Sequence, residues 1–198
     1  MVALSTTNPT ASDKILDAAQ LRFADYGPCK TTMTEIAADC DMSVGNLYRH
    51  FKNKDAIAVA CLERQMQQKL DAGVQAAIAE HDPLAALRAF LLTRLRIGHA
   101  QFSGTRHLFE LLTSIELRHR AVLLKYEAKV IDALTTILNL GVAQGCFATL
   151  DSAQTAYDIH QGTLRYNNPI TLKNNDLSIL EQDLNRLVDL LYRGLECN

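Results

Sequence analysis

The chain has 198 residues, of which 48% are hydrophobic and 21% charged, and its formal net charge is −2. This composition is typical of a globular protein with a substantial core, and the faint acidity argues against a protein that binds nucleic acid or membranes over its whole surface. Because the five cysteines are scattered and we find neither a leader segment nor an apolar run of transmembrane length, the sequence indicates a cytoplasmic protein with reduced thiols and no membrane contact.

The start of the chain predicts an arm followed by a helix. Residues 1–11 are mostly small and polar, which is typical of a frayed terminus. Ser12 is a good N-cap, and apolar residues follow it at helical spacing. Gly27 and Pro28 should end this first helix, because glycine accepts a left-handed C-cap and proline cannot continue the helix.

Two short helices are predicted next. Thr32 and Glu35 have the spacing of a capping box, which predicts a second helix over about Met33–Cys40. After a tight turn, Ser43 is the predicted N-cap of a third helix that ends near His50. Two short helices joined by such a turn are typical of a helix-turn-helix unit.

The third helix has two contrasting faces when its residues are placed about 100° apart. Val44, Leu47 and Phe51 form the predicted buried stripe. The outer face presents an amide, a guanidinium and a glycine, with a phenol and an imidazole at its sides: Asn46, Arg49, Gly45, Tyr48 and His50. These groups suit the reading of base edges and phosphates in DNA. The alternative is an ordinary polar face in contact with solvent.

The rest of the chain is predicted to be helical as well, because no period-2 alternation is sustained. Asn53 caps a long fourth helix whose first residue, Lys54, adds a cation beside a helix N-terminus, where phosphates bind readily. Further helices are predicted over Lys54–Gly73, Pro83–Phe102, Gly104–Thr113, Ser114–Gly141, Ser152–Arg165 and Leu177–Leu195, with the polar stretch Asn167–Asp176 between the last two. The predicted fold class is therefore all-α.

Three segments give the first third of the chain a family resemblance: "ILDAAQLRFADYG", "TTMTEIAADCDMS" and "VGNLYRHFKNKDA". Together they resemble the first helix, the helix-turn-helix and the Leu-Tyr-x-His-Phe-x-x-Lys signature of the TetR/AcrR family of bacterial transcriptional regulators. The resemblance implies an N-terminal three-helix DNA-binding domain at residues 12–52 and a larger helical ligand-binding and dimerisation domain at 53–198. It also implies a homodimeric repressor with no cofactor, whose partners are a palindromic operator in double-stranded DNA and a small, largely apolar effector.

The resemblance also implies roles for single residues. Thr32, Tyr48 and Lys54 would hold phosphates, while Gly45, Asn46 and Val44 would approach the bases. The predicted DNA-binding set is completed by Ser43, Arg49 and His50. One departure is Asp41, which stands in the turn where many members have glycine; aspartate tolerates the left-handed conformation, so we expect the motif to be retained. Another is Gly27-Pro28-Cys29, where an aromatic residue often follows the glycine.

A leucine stripe in the last helix predicts a subunit interface. Its members recur at three- and four-residue spacing: Leu177, Leu180, Leu184, Leu187 and Leu191. A one-sided stripe can also be plain core. In a two-fold DNA-binding protein the family precedent is a four-helix bundle made from the last two helices of each subunit, and it favours the interface.

Candidate ligand contacts are bulky or titratable residues on helices that would surround a cavity: Phe102, His107, Phe109, Glu110, Tyr126, Tyr157, His160 and Tyr166. Each could instead be core or surface. Glu116 and His119 form one Glu-x-x-His pattern, but a di-iron site needs a second copy, so no metal site is predicted. The competing interpretation of the chain is a helical enzyme or metal-binding protein in which the helix-turn-helix does not read DNA.

Overall fold

Helices account for every regular element in the computed structural model, which describes residues 10–103, 119–148 and 151–195. The all-α prediction is therefore confirmed. The α-helices are α1 (Ala11–Tyr26), α2 (Met33–Asp39), α3 (Val44–His50), α4 (Lys54–Ile78), α5 (Pro83–Ser103), α6 (Arg120–Ala143), α7 (Ser152–Gly162), α8 (Pro169–Asn174) and α9 (Leu177–Leu195), with a 3₁₀ turn at Leu164–Asn167. None of the described helices is both long and apolar enough to cross a membrane.

The chain divides into two units, and the division falls inside α4 between Arg64 and Gln65. The first unit contains α1, α2, α3 and the start of α4. Its core is formed by fully buried aliphatic side chains, one or two from each helix: Ile15, Ala19, Ile36, Leu47 and Ile57. Leu47 belongs to the stripe predicted for the third helix, and the short helices are held mainly by tertiary packing of one face. The predicted boundary at residues 52 and 53 remains a prediction.

The N-terminus of α1 differs from the prediction. The N-cap is Thr10 and not Ser12, and residues 10 and 11 belong to the capped helix and not to an arm. The reason is a reciprocal capping box: the Asp13 N–H donates to Thr10 Oγ1 at 3.1 Å, and the Thr10 N–H donates to Asp13 Oδ2 at 3.0 Å. Ser12 has isoleucine three residues later, so it could not form the second bond.

The other predicted caps of the first unit are confirmed. The Glu35 N–H donates to Thr32 Oγ1 at 3.3 Å, and the Thr32 N–H donates to Glu35 Oε2 at 2.8 Å. The Thr32 hydroxyl and the Thr32 N–H both donate to the Glu35 carboxylate, and these two bonds lower the pKa of Glu35. Asn53 Oδ1 accepts the Ala56 N–H at 2.8 Å at the start of α4. Local signals three residues apart therefore set these helix ends.

Asp41 adopts the left-handed conformation that the family's usual glycine would take. Its φ is 53°, and it is the one non-glycine residue with positive φ in the described ranges. The turn is closed by the Met42 N–H, which donates to the Ala37 carbonyl at 2.9 Å. Aspartate is among the few residues that adopt this conformation without severe strain, so α2 and α3 retain their tight connection.

In the second unit α5 is the central helix. It packs against α6, α8 and α9, and α6 packs along α7. Fully buried side chains of α5, including Leu87, Phe90 and Leu95, supply much of this core. Polar contacts join α5 to α9 at its edges: Arg88 donates to Asp189 at 2.5 Å, and Arg96 donates to Glu181 at 2.5 Å. The apolar core and these two ion pairs therefore hold α9 against α5 of the same chain.

The end of α6 folds back on itself around a glycine. The Phe147 ring is 2% exposed and lies directly on Gly141, where an added Cβ would be 2.1 Å from the ring. The N–H groups of Cys146 and Phe147 donate to the Gly141 carbonyl at 2.9 and 3.1 Å. The missing side chain at Gly141 therefore makes room for Phe147.

Several predicted ends in the second unit are corrected. Helix α4 runs past Gly73 to Ile78, and α7 stops at Gly162 instead of Arg165. The stretch Asn167–Asp176, predicted only as a separator, contains α8, because Asn168 caps it and proline occupies its first position. The helix predicted over Gly104–Thr113, and the first residues of the one predicted from Ser114, lie outside the described residues.

Candidate nucleic-acid interface and ligand site

Helix α3 buries one side and exposes the other, as predicted. Leu47 is fully buried, whereas Val44 and Phe51 are only half-buried. Tyr48 is 51% exposed, and Gly45, Arg49 and His50 are exposed as well. The phenol, guanidinium and imidazole of the outer face are therefore accessible to a partner.

Gly45 leaves the middle of this face open. A Cβ built on Gly45 meets no atom of the described chain within 4 Å. The helix is not close-packed here against anything in its own unit, so the glycine is not required for the fold. A bare backbone at this position would let α3 come close to a flat or grooved partner.

The first turn of α3 is held by Ser43. Its hydroxyl accepts the Asn46 N–H at 3.2 Å, so Ser43 serves as the N-cap. The Asn46 side chain is half-exposed. An amide at this position can donate and accept toward a base edge, as asparagine does with adenine.

The cations around α3 have different surroundings. Lys54 is half-buried, and its Nζ donates to the Thr31 carbonyl at 2.7 Å, which leaves its other two N–H groups for a phosphate. Lys52, two residues before it, is exposed but was not among the predicted DNA contacts. The sequence from Met42 to Lys54 contains no acidic residue, and this could have indicated Lys52 as a further DNA contact.

Two predicted DNA contacts also have roles within the fold. The Thr32 hydroxyl is part of the α2 capping box and donates to Glu35 Oε2 at 2.8 Å. His50 Nδ1 lies 3.5 Å from the Ser12 hydroxyl on α1. Both residues are exposed, so each could still contact a partner with its remaining groups.

The predicted ligand residues are placed in different environments. Phe102 and Tyr166 are buried, and His160 is only 5% exposed. Tyr157 is 45% exposed, so it does not belong to an interior site. His107, Phe109 and Glu110 lie outside the described residues, as does Glu116 of the Glu-x-x-His pattern. In the described parts of the chain, no three His, Cys, Asp or Glu side chains gather as a metal site.

His160 belongs to a buried polar group that includes residues the sequence analysis missed. Its Nε2 lies 3.3 Å from Glu127 Oε1, which also accepts from Gln161 Nε2 at 3.0 Å. Burial lowers the pKa of His160, and the nearby Arg94 guanidinium lowers it further. Arg94 and Lys69 are almost fully buried in the same unit. Nothing in the sequence around either residue predicts that its charged side chain is buried.

The leucines of the predicted stripe in α9 differ in how deeply they are buried. Leu180 and Leu184 are 0% and 1% exposed within the single chain, because they pack in the core that α9 shares with α5. They cannot supply contact area to a partner. Leu177, Leu187 and Leu191 are half-buried. The apolar residues that α9 exposes are Ile179, at 51%, and Leu190, at 64%.

Comparison with sequence families gives two matches. Residues 15–61 match the family described as bacterial regulatory proteins, tetR family. Residues 83–188 match a tetracyclin repressor-like C-terminal domain. The first match contains all of α2 and α3, and the second reaches from the start of α5 into α9.

Curated relatives and solved structures give similar matches. A helix-turn-helix-type transcriptional regulator in the dhlA 5′ region of Xanthobacter autotrophicus is 32% identical over 119 residues, which are 56% of this chain and 55% of that protein. A probable acrEF/envCD operon repressor of Escherichia coli K12 is 32% identical over 89 residues, 42% of this chain and 38% of that protein. The chain thus spans about half or less of the length of these relatives.

Among solved structures, a tetR-family regulatory protein from Rhodococcus RHA1 has a TM-score of 0.61 and 25% identity, covering 96% of this chain and 98% of that one. A putative TetR-family regulator from Mesorhizobium loti has a TM-score of 0.76 at 14% identity, covering 94% and 97%. The second likeness concerns the fold alone.

Proposed function

The chain belongs to the tetR family of bacterial regulatory proteins, and from this premise we propose that it is a ligand-responsive repressor that binds operator DNA. The observation that carries the proposal is the outer face of α3, which exposes an arginine and a tyrosine around a bare glycine backbone. The printed name of the E. coli relative supports repression. Family membership favours a regulator over a helical enzyme or metal-binding protein, and a regulator of this kind acts in the cytoplasm.

In the proposed complex α3 lies in the major groove. Asn46 and Arg49 reach base edges, and Gly45 lets the helix backbone approach the groove floor. Lys52, Lys54 and Tyr48 stand where phosphates pass. The basic residues around α3 supply the electrostatic attraction that the whole-chain charge of −2 conceals.

The dimer in this proposal uses the apolar surface that the single chain leaves exposed. Ile179 and Leu190 lie eleven residues apart, three helical turns, and so share one face of α9. Tyr157 is exposed on α7, the preceding long helix. A two-fold pairing of these surfaces would present two copies of α3 to one DNA molecule.

The effector would bind in the second unit and change the affinity for DNA. Helix α4 is continuous through Arg64 and Gln65, where the two units divide. In the proposal this helix couples ligand binding to DNA binding. A coupling free energy of ~1–3 kcal/mol would change operator affinity about five- to 150-fold.

The test of the proposal is selection of DNA fragments from a random pool by the purified protein. We expect a palindrome whose half-site centres are roughly 34–36 Å apart, because two recognition helices on a two-fold axis must meet the same side of the duplex. Enrichment of no sequence at all, or of a single half-site, would contradict the proposal.

Substitutions in and beside α3 should separate base reading from phosphate contact. Asn46→Ala should cost roughly 1–3 kcal/mol per half-site and relax the preference at particular base positions. Lys52→Ala should weaken binding to all sequences alike and make the salt dependence shallower by about two units in a dimer. Titrations of selected and scrambled duplexes at several salt concentrations measure both effects.

Neither residue contributes to the core of the first unit, so both variants should unfold at the parental temperature. If Asn46→Ala instead binds the selected operator like the parent, α3 is not the reading helix.

A further inference from the structure

A group of polar side chains is enclosed in the second unit, and each main member comes from a different helix. We call it the basic cluster and define it as Lys69 of α4, Arg94 of α5, Glu127 of α6 and His160 of α7. Lys69 is 8% exposed, Arg94 1% and His160 5%. Charged residues are almost never buried to this degree unless they are paired.

Two of the three guanidinium nitrogens of Arg94, Nε and Nη1, are buried and have no hydrogen-bond partner among the described residues. Apolar groups also lie against its side chain: the guanidinium lies 5.2 Å from the centre of the Phe90 ring, and its Cγ lies against Gly73 of α4. Buried donors without acceptors are rare in folded proteins, and each one requires an explanation.

The surrounding groups share this deficit of acceptors. The Tyr126 hydroxyl and His160 Nδ1 are also buried without a partner in the described chain. Among the described residues, the contacts of Lys69 Nζ are Asn167 Oδ1 at 3.5 Å and the Tyr126 ring at 5.9 Å. The carboxylate of the cluster, Glu127, is directed to His160 and Gln161.

The electrostatics agree with the geometry. Burial, together with the Arg94 charge, lowers the pKa of Lys69 to about 7. The same two causes lower the pKa of His160, and Glu127 offsets this only in part. The Arg94 charge therefore disfavours the charged forms of Lys69 and His160.

We propose that the basic cluster binds the carboxylate of a small organic acid, with Arg94 as its main partner and Lys69 beside it. This inference rests on the proposed function, since the acid would be the effector. A guanidinium matches the planar shape of a carboxylate and forms two hydrogen bonds to it. A monoanion fits the site better than a phosphate dianion, because desolvating a double charge among apolar neighbours costs more.

The proposal refines the expectation of a small, largely apolar effector by adding one carboxylate, which the buried cations would bind. The apolar part of the acid would lie among the aromatic side chains near the cluster. Phe90 and Tyr126 are the candidates, because both already contact its cations.

The first test measures thermal unfolding of the full-length protein, and calorimetric titration, with acetate, benzoate and octanoate. Benzamide, octanamide and inorganic phosphate are the comparison ligands. We expect at least one acid to raise the unfolding temperature and to bind at least tenfold more tightly than its amide. Equal effects of acid and amide would overturn the proposal. So would a response to phosphate alone, or no response to any of the three acids at millimolar concentration.

Two matched arginine variants on α5 sharpen the test. Arg94→Met should raise the unfolding temperature of the ligand-free protein, because an apolar residue replaces a buried charge, and it should remove the response to acids. Arg96→Met is the control, since Arg96 is 54% exposed and pairs with Glu181; it should keep the response. An Arg94→Met protein that still responds to acids like the parent would refute the assignment, as would loss of the response in Arg96→Met alone.

The acid titrations contain no DNA, and the DNA selection contains no acid, so the two proposals can fail separately. If the protein selects a palindrome but does not bind acids, only the proposal for the basic cluster is refuted. A protein that binds acids but no DNA loses the proposed function. Lys69→Met provides a second variant, and we expect it to weaken acid binding without abolishing it.

Discussion

Replacing Ile179 and Leu190 together by aspartate should produce a monomer that binds its operator ~10²- to 10⁴-fold more weakly. The loss has a simple origin. In a dimer, binding of one α3 gives the second a high effective concentration at its half-site, and this advantage disappears when the subunits separate. Each aspartate would also be an unpaired charge in an apolar contact, which opposes reassembly.

The two positions are suitable because the single chain does not need them. Their side chains are 51% and 64% exposed, so aspartate at either position should leave the fold intact. Leu184, which belongs to the predicted stripe, is 1% exposed, and aspartate there would unfold the second unit instead of testing the dimer.

Sedimentation and an operator-shift assay on the same samples measure this prediction. Ile78→Asp is the matched control, since Ile78 is an equally exposed aliphatic residue at the end of α4, at 69%. It should remain dimeric and bind normally. A double variant that stays dimeric would move the interface away from this face of α9. A monomeric variant with parental affinity would remove the dimer from the mechanism.

Gly141→Ala should be the most destabilising single-methyl addition among the described glycines. The new Cβ would lie 2.1, 2.3 and 2.8 Å from three carbons of the Phe147 ring. That ring is 2% exposed and its own N–H is bonded to Gly141, so it cannot move aside without breaking the turn. Overpacking of this kind costs roughly 1–3 kcal/mol or more, which outweighs the ~1 kcal/mol by which alanine favours a helix.

Chemical denaturation measures the free energy of unfolding for this variant. Gly162→Ala and Gly194→Ala are the controls, because both glycines are helical and no described atom lies within 4 Å of the added Cβ. They should be neutral or stabilising by up to ~1 kcal/mol. Replacing the ring by a smaller side chain, with Phe147→Leu added to Gly141→Ala, should recover part of the lost free energy of unfolding. Equal stability of Gly141→Ala and the parent would show that the turn can rearrange.

The first unit could be predicted closely because its signals are local. Thr32 with Glu35, Ser43 with Asn46, and Asn53 with Ala56 are pairs three residues apart, and each sets a helix end without help from distant parts of the chain. Thr10 and Asp13 have the same three-residue spacing, although Ser12 was the predicted N-cap.

The second unit was less predictable because its decisive contacts are distant in sequence. The spacing of Leu180 and Leu184 predicted an apolar stripe, but only the fold shows that α5 of the same chain covers it. Arg94 is the extreme case. Composition rules place arginine at the surface, and no pattern in its own helix indicates that it is enclosed, with two of its nitrogens unpartnered among the described residues. Residues that break local rules in this way are the ones to expect at functional sites.

The open backbone at Gly45 has a consequence for how the protein could diverge. In the core, a new side chain must fit its neighbours, so most changes there are removed by selection for stability. A Cβ added at Gly45 meets no described atom within 4 Å, so the fold leaves room for a change at this position. If α3 reads DNA as proposed, duplicated copies of this gene could acquire different target sequences through one codon while keeping the same core.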